Sequence, residues 1–222
     1  ESFHQRTSFI KNIINTVKNI CLLNYVSIGG GFYSTLPDSI LQKANIKQVT
    51  FSDYAEATAK PLSEFFSANN INPDLFIEPG TALVADTFSY YCRVISTKVI
   101  DTVQVATVNG SLLDISASAK FKNLPAKLVF SNSNIKRETG NTIISGYTCI
   151  ESDILSESFK YRLSVGDIIK YDNVGSYSIV MKPPFILPAS EVFALKFDQL
   201  ELIKNKEDAD YIFQNFIIKQ DD

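Results

Sequence analysis

The sequence predicts an α/β segment followed by a mostly β segment, on three observations. Apolar residues recur at helical spacing from Phe9 to Cys21. Two short apolar runs, Tyr25 to Ile28 and Leu75 to Ile77, each end in a glycine-bearing turn, and after Thr87 the texture changes to many short β-rich runs. Alternating helix and strand is the signature of βα units, whereas closely spaced short strands suggest an antiparallel barrel or sandwich. The boundary is expected near Ala85, giving domains 1–85 and 86–222.

In the first segment, Ile10, Ile13, Ile14, Val17 and Ile20 lie three or four residues apart and form one apolar helical face, which Asn24 ends. Tyr25 to Ile28 then runs directly into Gly29, Gly30 and Gly31. Ser52 is a candidate cap for a second helix, Asp53 to Ala68, with Ala55, Ala59, Leu62, Phe65 and Phe66 on its buried side. Asn69 and Asn70 stop it, and the strand Leu75 to Ile77 follows Pro73. That strand ends at Glu78, Pro79 and Gly80.

The second segment offers strands at Tyr90 to Val94, Thr102 to Val108, Ala126 to Phe130, Thr142 to Gly146, Ile168 to Tyr171 and Val192 to Phe197, divided by Gly, Pro, Asn and Asp. Lys204 to Phe216 reads as a last helix and Gln220 to Asp222 as a frayed end. There is no internal repeat and no low-complexity segment.

Composition narrows the function classes. With 222 residues and 45% hydrophobic content the chain can bury a substantial core, and a net charge of −3 with interspersed signs shows no basic stripe for nucleic acid or a membrane surface. A small-molecule ligand is the default. Cys21, Cys92 and Cys149 are odd in number and lack metal-ligand spacing, which argues against a disulfide scaffold or a metal site and for a reducing, cytoplasmic setting. No apolar run approaches the length of a membrane span. The helical pattern is already under way by Ile10, so a beginning in mid-domain is expected.

Four places carry possible chemistry. Gly29 to Gly31 follow an apolar strand, and consecutive N–H groups without Cβ atoms can form a concave anion site, although glycine triplets also serve as plain turns. Glu78 falls at a strand end, where barrel enzymes put working groups, or is a solvated loop residue. Cys149 lies in a polar, turn-rich stretch, Gly146 to Asp153, that suits an accessible thiol; a buried structural cysteine is the alternative. Tyr177, after Gly175 and Ser176 and before Pro183-Pro184-Phe185, can donate its hydroxyl to a phosphate or simply pack.

In order, IGGGF, then EPG followed by ALVA, then GYTCIESD, then GDIIKYDNVGSY resemble the motif series of the diaminopimelate/ornithine/arginine decarboxylase family, pyridoxal-phosphate enzymes of the alanine-racemase-like fold. The resemblance runs from about Tyr25 to Phe216 and matches the family's C-terminal half. It implies the C-terminal part of a TIM (β/α)8 barrel followed by an antiparallel β-barrel domain. It also implies that Gly29, Gly30 and Gly31 bind the cofactor phosphate, with Gly80, Thr81 and Tyr177 beside the cofactor and Glu78 on the pyridine nitrogen. Cys149 would reprotonate the carbanion, Asp153 and Glu151 would bind substrate, and the cysteine loop would reach a neighbouring subunit's site in a homodimer.

The chain departs from that pattern in four ways. The family's Schiff-base lysine has no counterpart here, so an N-terminal half bearing it is implied as a partner. His4 superficially resembles the family's ring-stacking histidine, with shorter spacing to Gly29. Thr81 stands where Arg usually follows Glu-Pro-Gly, and Ile150 stands where the diaminopimelate branch has Glu directly after the cysteine, with Glu151 one place later. A catalytically inactive decarboxylase-like partner or binding protein is the alternative these departures leave open.

Overall fold

The structure, a computed structural model, describes residues 2–33, 35–115, 124–130 and 138–217. The expected frayed end at Gln220 to Asp222 lies outside them. The chain divides into two compact units, Glu1–Phe88 and Ser89–Asp222.

The first unit is α/β. Helix α1 (Ser2–Val17) begins before the apolar pattern and ends before Asn24. Its first half is concealed in the sequence because it buries polar side chains: Thr7 is 4% exposed and donates its hydroxyl to the Ala57 carbonyl at 2.8 Å. The end comes at Val17, whose carbonyl accepts from both the Ile20 and Cys21 amides in a tightened turn. Strand β1 (Tyr25–Ser27) follows, then α2 (Asp38–Ala44), which the sequence did not announce.

The second expected helix is two helices, α3 (Phe51–Ala57) and α4 (Ala59–Ala68). Thr50, not Ser52, caps the first, exchanging bonds with Asp53 in a reciprocal capping box. At Thr58 the backbone leaves helical geometry (φ −131°, ψ −71°), and the Thr58 hydroxyl bonds back to the Tyr54 carbonyl at 2.7 Å. This break shifts the buried face, so that Tyr54, Ala57, Leu62 and Phe66 are buried while Ala55 is exposed. Strand β2 (Asp74–Phe76) pairs parallel with β1, Val26 opposite Leu75, and α5 (Gly80–Val84) follows. Ile14, Ile28, Phe32, Tyr54, Leu62, Phe66 and Ala82 form the core, in which the rings of Phe32 and Tyr54 meet edge to face at 5.0 Å.

The second unit holds β3 (Ser89–Ile100), β4 (Val103–Val108), α6 (Leu112–Ile115), β5 (Ala126–Phe130), β6 (Thr139–Ser145), β7 (Ile154–Tyr161), β8 (Ile168–Asp172), β9 (Val192–Lys196), β10 (Gln199–Lys204) and α7 (Ala209–Phe213). Six strands form one sheet in the order β5-β8-β3-β4-β6-β7. The expected antiparallel arrangement is corrected at one seam, where β4 and β6 run parallel, Val105 opposite Ile143. The cause is topological: between them the chain crosses to the far edge to make β5 beside β8, and it returns in the direction of β4. Strand β3 gives its first half to β8 and its second to β4, with a register shift between Val94 and Ser96 that lets the sheet curl. Among the described strands the sheet is open, with β5 and β7 at its edges, instead of a closed barrel.

Alternation carries the core of this sheet. On β4, Gln104, Ala106 and Val108 point inward and their neighbours outward. Cys92, Val94, Ile144, Leu155, Ile169 and Tyr171 on the other strands are buried as well. Two strands escape notice in the sequence: β7, whose Ser156 is buried against the Tyr171 hydroxyl at 3.1 Å, and β10, exposed along nearly its whole length. Strand β10 ends at Lys204, and the last helix is only Ala209–Phe213, shorter than predicted, and is capped by Asp208. Among the described residues no helix is long and apolar enough to cross a membrane.

Candidate functional site

In the first unit the parallel pairing of β1 and β2 sets their C-terminal ends side by side, which brings Gly29 to Gly31 against Glu78. The Glu78 amide donates to the Gly29 carbonyl at 3.0 Å. Ser27, which the sequence reading did not single out, joins the two: its hydroxyl donates to Glu78 Oε1 at 3.1 Å and accepts from the Gly29 amide at 3.2 Å. Gly29 and Gly31 adopt φ of +68° and +90°, where side chains are strained. A Cβ on Gly30 would lie 3.0 Å from the Glu78 carbonyl oxygen, so the close approach of the loop to Glu78 favours glycine there too.

A second residue missed in the sequence, Arg6, supports the loop from α1. Its Nη1 donates to the carbonyls of Ile28 at 2.8 Å and Gly30 at 2.7 Å, and its guanidinium stacks 4.5 Å from the Phe3 ring centre. Gly80 and Thr81 open α5 directly after Glu78-Pro79. His4 is exposed on α1. A depression of this unit lies at the other end of the strands, between Lys18 to Asn24 and Asn70 to Asp74, away from the glycine loop.

In the second unit Cys149 is exposed on a bend after β6, in contrast to Cys92, which is 2% exposed inside the sheet. Burial pushes the Cys92 thiol up to about 12. The cysteine loop closes through the Gly146 amide on the Asp153 carbonyl (2.8 Å) and the Asp153 amide on the Ile150 carbonyl (2.9 Å).

Asp153, which the resemblance assigns to substrate, is 5% exposed. Its Oδ1 accepts from Ser111 Oγ at 3.0 Å and the Leu112 amide at 2.7 Å, and its Oδ2 accepts from the Thr148 amide at 3.2 Å and the Thr148 hydroxyl at 2.6 Å. The carboxylate therefore fastens the Cys149 loop to the segment between β4 and α6. Glu151 is exposed on the same loop.

A second buried carboxylate, Asp114, lies on the other side of Ser111. It accepts from the Ser111 amide at 2.8 Å and the Tyr90 hydroxyl at 3.0 Å, and it faces Lys182 Nζ at 3.6 Å, with both side chains over nine-tenths buried. Burial pushes the Asp114 carboxyl above its ordinary value, against the pull of Lys182, and pushes the Tyr90 hydroxyl upward as well. Lys182 also donates to the Leu187 carbonyl at 2.7 Å, tying the Pro183-Pro184-Phe185 segment to the same point. Asp114, Lys182 and Ser111 were not legible as site residues, because their partners come from distant parts of the sequence. Tyr177 is 54% exposed on a turn with φ of +57°. Among the described residues no group of His, Cys, Asp and Glu could hold a metal ion.

The α/β unit thus carries a glycine loop beside a strand-end carboxylate, and the curled mixed sheet displays a cysteine loop. Over residues 12–175 the sequence matches the family described as pyridoxal-dependent decarboxylase, C-terminal sheet domain, and the chain belongs to that family. Among solved structures it is similar to diaminopimelate decarboxylase of M. jannaschii in complex with L-lysine, with a TM-score of 0.79 and 20% identity over 98% of this chain and 49% of that one. Diaminopimelate decarboxylase from Helicobacter pylori, complexed with L-lysine, gives 0.74 and 18% over 96% and 50%. Paramecium bursaria Chlorella virus arginine decarboxylase bound to agmatine gives 0.65 and 17% over 83% and 48%. The chain thus spans about half the length of the solved structures it matches. No curated protein matches the sequence.

Proposed function

We propose that this chain supplies part of the active site of a cytoplasmic, pyridoxal-phosphate-dependent amino-acid decarboxylase, with residues 1–85 forming the last part of its (β/α)8 barrel. The site then also needs the half that bears the cofactor's lysine, and the active enzyme is a homodimer with shared sites. The observation that carries this reading is the junction of Gly29 to Gly31 with Glu78 at the ends of two parallel strands. The loop fits a phosphate, because Gly29 and Gly31 hold positive φ, no side chain stands at Gly30, and the Gly30 and Gly31 amides have no protein acceptor among the described residues.

When bound, pyridoxal phosphate supplies the electron sink that accepts the pair left by departing carbon dioxide. The glycine loop Gly29 to Gly31 would hold the phosphate, and Gly80, Thr81 and Tyr177 would bind the cofactor beside it. Glu78, with Ser27 on its Oε1, accepts from the pyridine nitrogen and keeps a proton there. Cys149 delivers a proton from Sγ to the substrate carbon. Glu151 offers a carboxylate to the far end of an amino-acid substrate, and Asp153 serves that end by fixing the loop from which Glu151 projects.

The test uses the complete enzyme. Cys149→Ala is expected to bind cofactor and substrate while turnover falls on the order of a hundredfold or more. Mixing Cys149→Ala subunits with subunits lacking the lysine is expected to restore part of the activity; heterodimers without rescue would remove the shared site. Full turnover by Cys149→Ala would remove its catalytic role. Thr81, in the place of the usual Arg, favours a second reading as an inactive partner, and a complete protein that binds cofactor but releases no carbon dioxide from any amino acid would decide for it.

A further inference from the structure

We propose that Arg6 arms the glycine loop for a phosphate monoester, by turning its peptide planes and polarising them so that the Gly31 amide becomes a strong anion donor. This rests on the cofactor reading above and adds to it a residue from α1. In a trans peptide the carbonyl and the next residue's N–H point to opposite sides. Arg6 Nη1 holds the carbonyls of Ile28 (2.8 Å) and Gly30 (2.7 Å), so the amides of Gly29 and Gly31 face away from it. The Gly29 amide is taken by Ser27 Oγ at 3.2 Å. The Gly29 carbonyl accepts from the Glu78 amide at 3.0 Å, which turns the Gly30 amide away from Glu78 in the same manner. Among the described residues neither the Gly30 nor the Gly31 amide donates to a protein acceptor.

A guanidinium that donates to a carbonyl draws electron density through the amide, and the N–H at the other end becomes a better donor. The full charge also stands close behind the loop: Arg6 Nη2 is 3.7 Å from the point a Cβ on Gly31 would occupy. Arg6 is half-buried and stacked on Phe3, so it is held in place and is not a wandering surface cation. A dianionic phosphate ester gains from both effects, whereas the same ligand without its phosphate gains from neither.

The apo form of the complete enzyme is titrated with pyridoxal phosphate and with pyridoxal, followed by absorbance, together with the 31P shift of the bound ester. Arg6→Met is expected to raise Kd for pyridoxal phosphate by roughly tenfold or more and to move that for pyridoxal by less than about twofold. Arg6→Lys keeps the charge with a poorer fork and is expected to fall between the two. Equal losses for both ligands would reduce Arg6 to a scaffold residue and overturn the proposal, as would an unchanged phosphate preference. Should Arg6→Met fail to fold, Arg6→Lys decides alone: a phosphate preference equal to the wild type's overturns the proposal. A wild type that does not distinguish the two ligands overturns the phosphate role of the loop itself, and this proposal with it.

Discussion

A Cβ placed on Gly146 would lie 2.1 Å from Oδ2 of Asp153, closer than any side chain tolerates. Gly146 is thus glycine because a buried carboxylate occupies the space where its side chain would stand. Gly146→Ala is expected to drive Asp153 off its four donors and to cost about 2–4 kcal/mol, by the loss of buried hydrogen bonds to a charged group. Denaturant melts check the loss, and faster proteolysis between Gly146 and Asp153 checks its location.

Lys182 and Asp114 test the neighbouring joint. Removing one partner leaves the other charged and buried, so Lys182→Met is expected to destabilise by about 3–5 kcal/mol. Lys182→Met combined with Asp114→Asn should cost less than the sum of the two single changes. A thermal-melt double-mutant cycle measures the difference, and strict additivity would mean that the pair at 3.6 Å contributes no coupling.

The three thiols should separate under alkylation of the folded protein. Cys149 and Cys21 are exposed and are expected to react, while Cys92, buried and pushed up to about 12, is expected to react only after unfolding. Peptide mass spectrometry reads the order directly, and early modification of Cys92 would contradict the placement of β3 inside the sheet.

Two carboxylates predict opposite responses to pH. Asp172 joins β8 to β3 and β5 through Ser89 (2.9 Å), Lys170 (2.8 Å) and Lys127 (3.4 Å). Burial pushes its carboxyl upward, but Lys170 and Ser89 outweigh burial and hold it below the usual range. Its contribution to stability is therefore present above the ordinary carboxylate range and lost as pH falls through the depressed value. Asp114 has its value raised, so the folded state binds that proton more tightly and its contribution rises as pH falls through the raised value. Melts of Asp172→Asn and Asp114→Asn across acid pH are expected to change the slope of stability with pH in opposite senses.

The amino-acid sequence determined the features that depend on short-range pattern. The period of Ile10, Ile13, Ile14 and Val17 announced α1, and short β-rich runs bounded by Gly, Pro, Asn and Asp announced β3, β4 and β8, because each pattern lies within one element. Gly29 to Gly31 and Glu78 stood out since each sits at the end of an apolar run, and Cys149 since it lies in a polar, turn-rich stretch. What lay beyond reach was every group whose meaning comes from a distant partner. Arg6 reads as one polar residue in a helix until the fold sets its guanidinium under the Ile28 and Gly30 carbonyls, 22 and 24 positions away. Asp153 reads as a soluble loop acid until Ser111 and Leu112, 42 and 41 positions away, close over it. The parallel pairing of β4 with β6 is of the same kind, since strand direction follows from where the chain goes in between, to the far edge of the sheet at β5. Local periodicity encodes which face of an element avoids water; which polar group satisfies another across the core is decided only when loop closure has brought the two together.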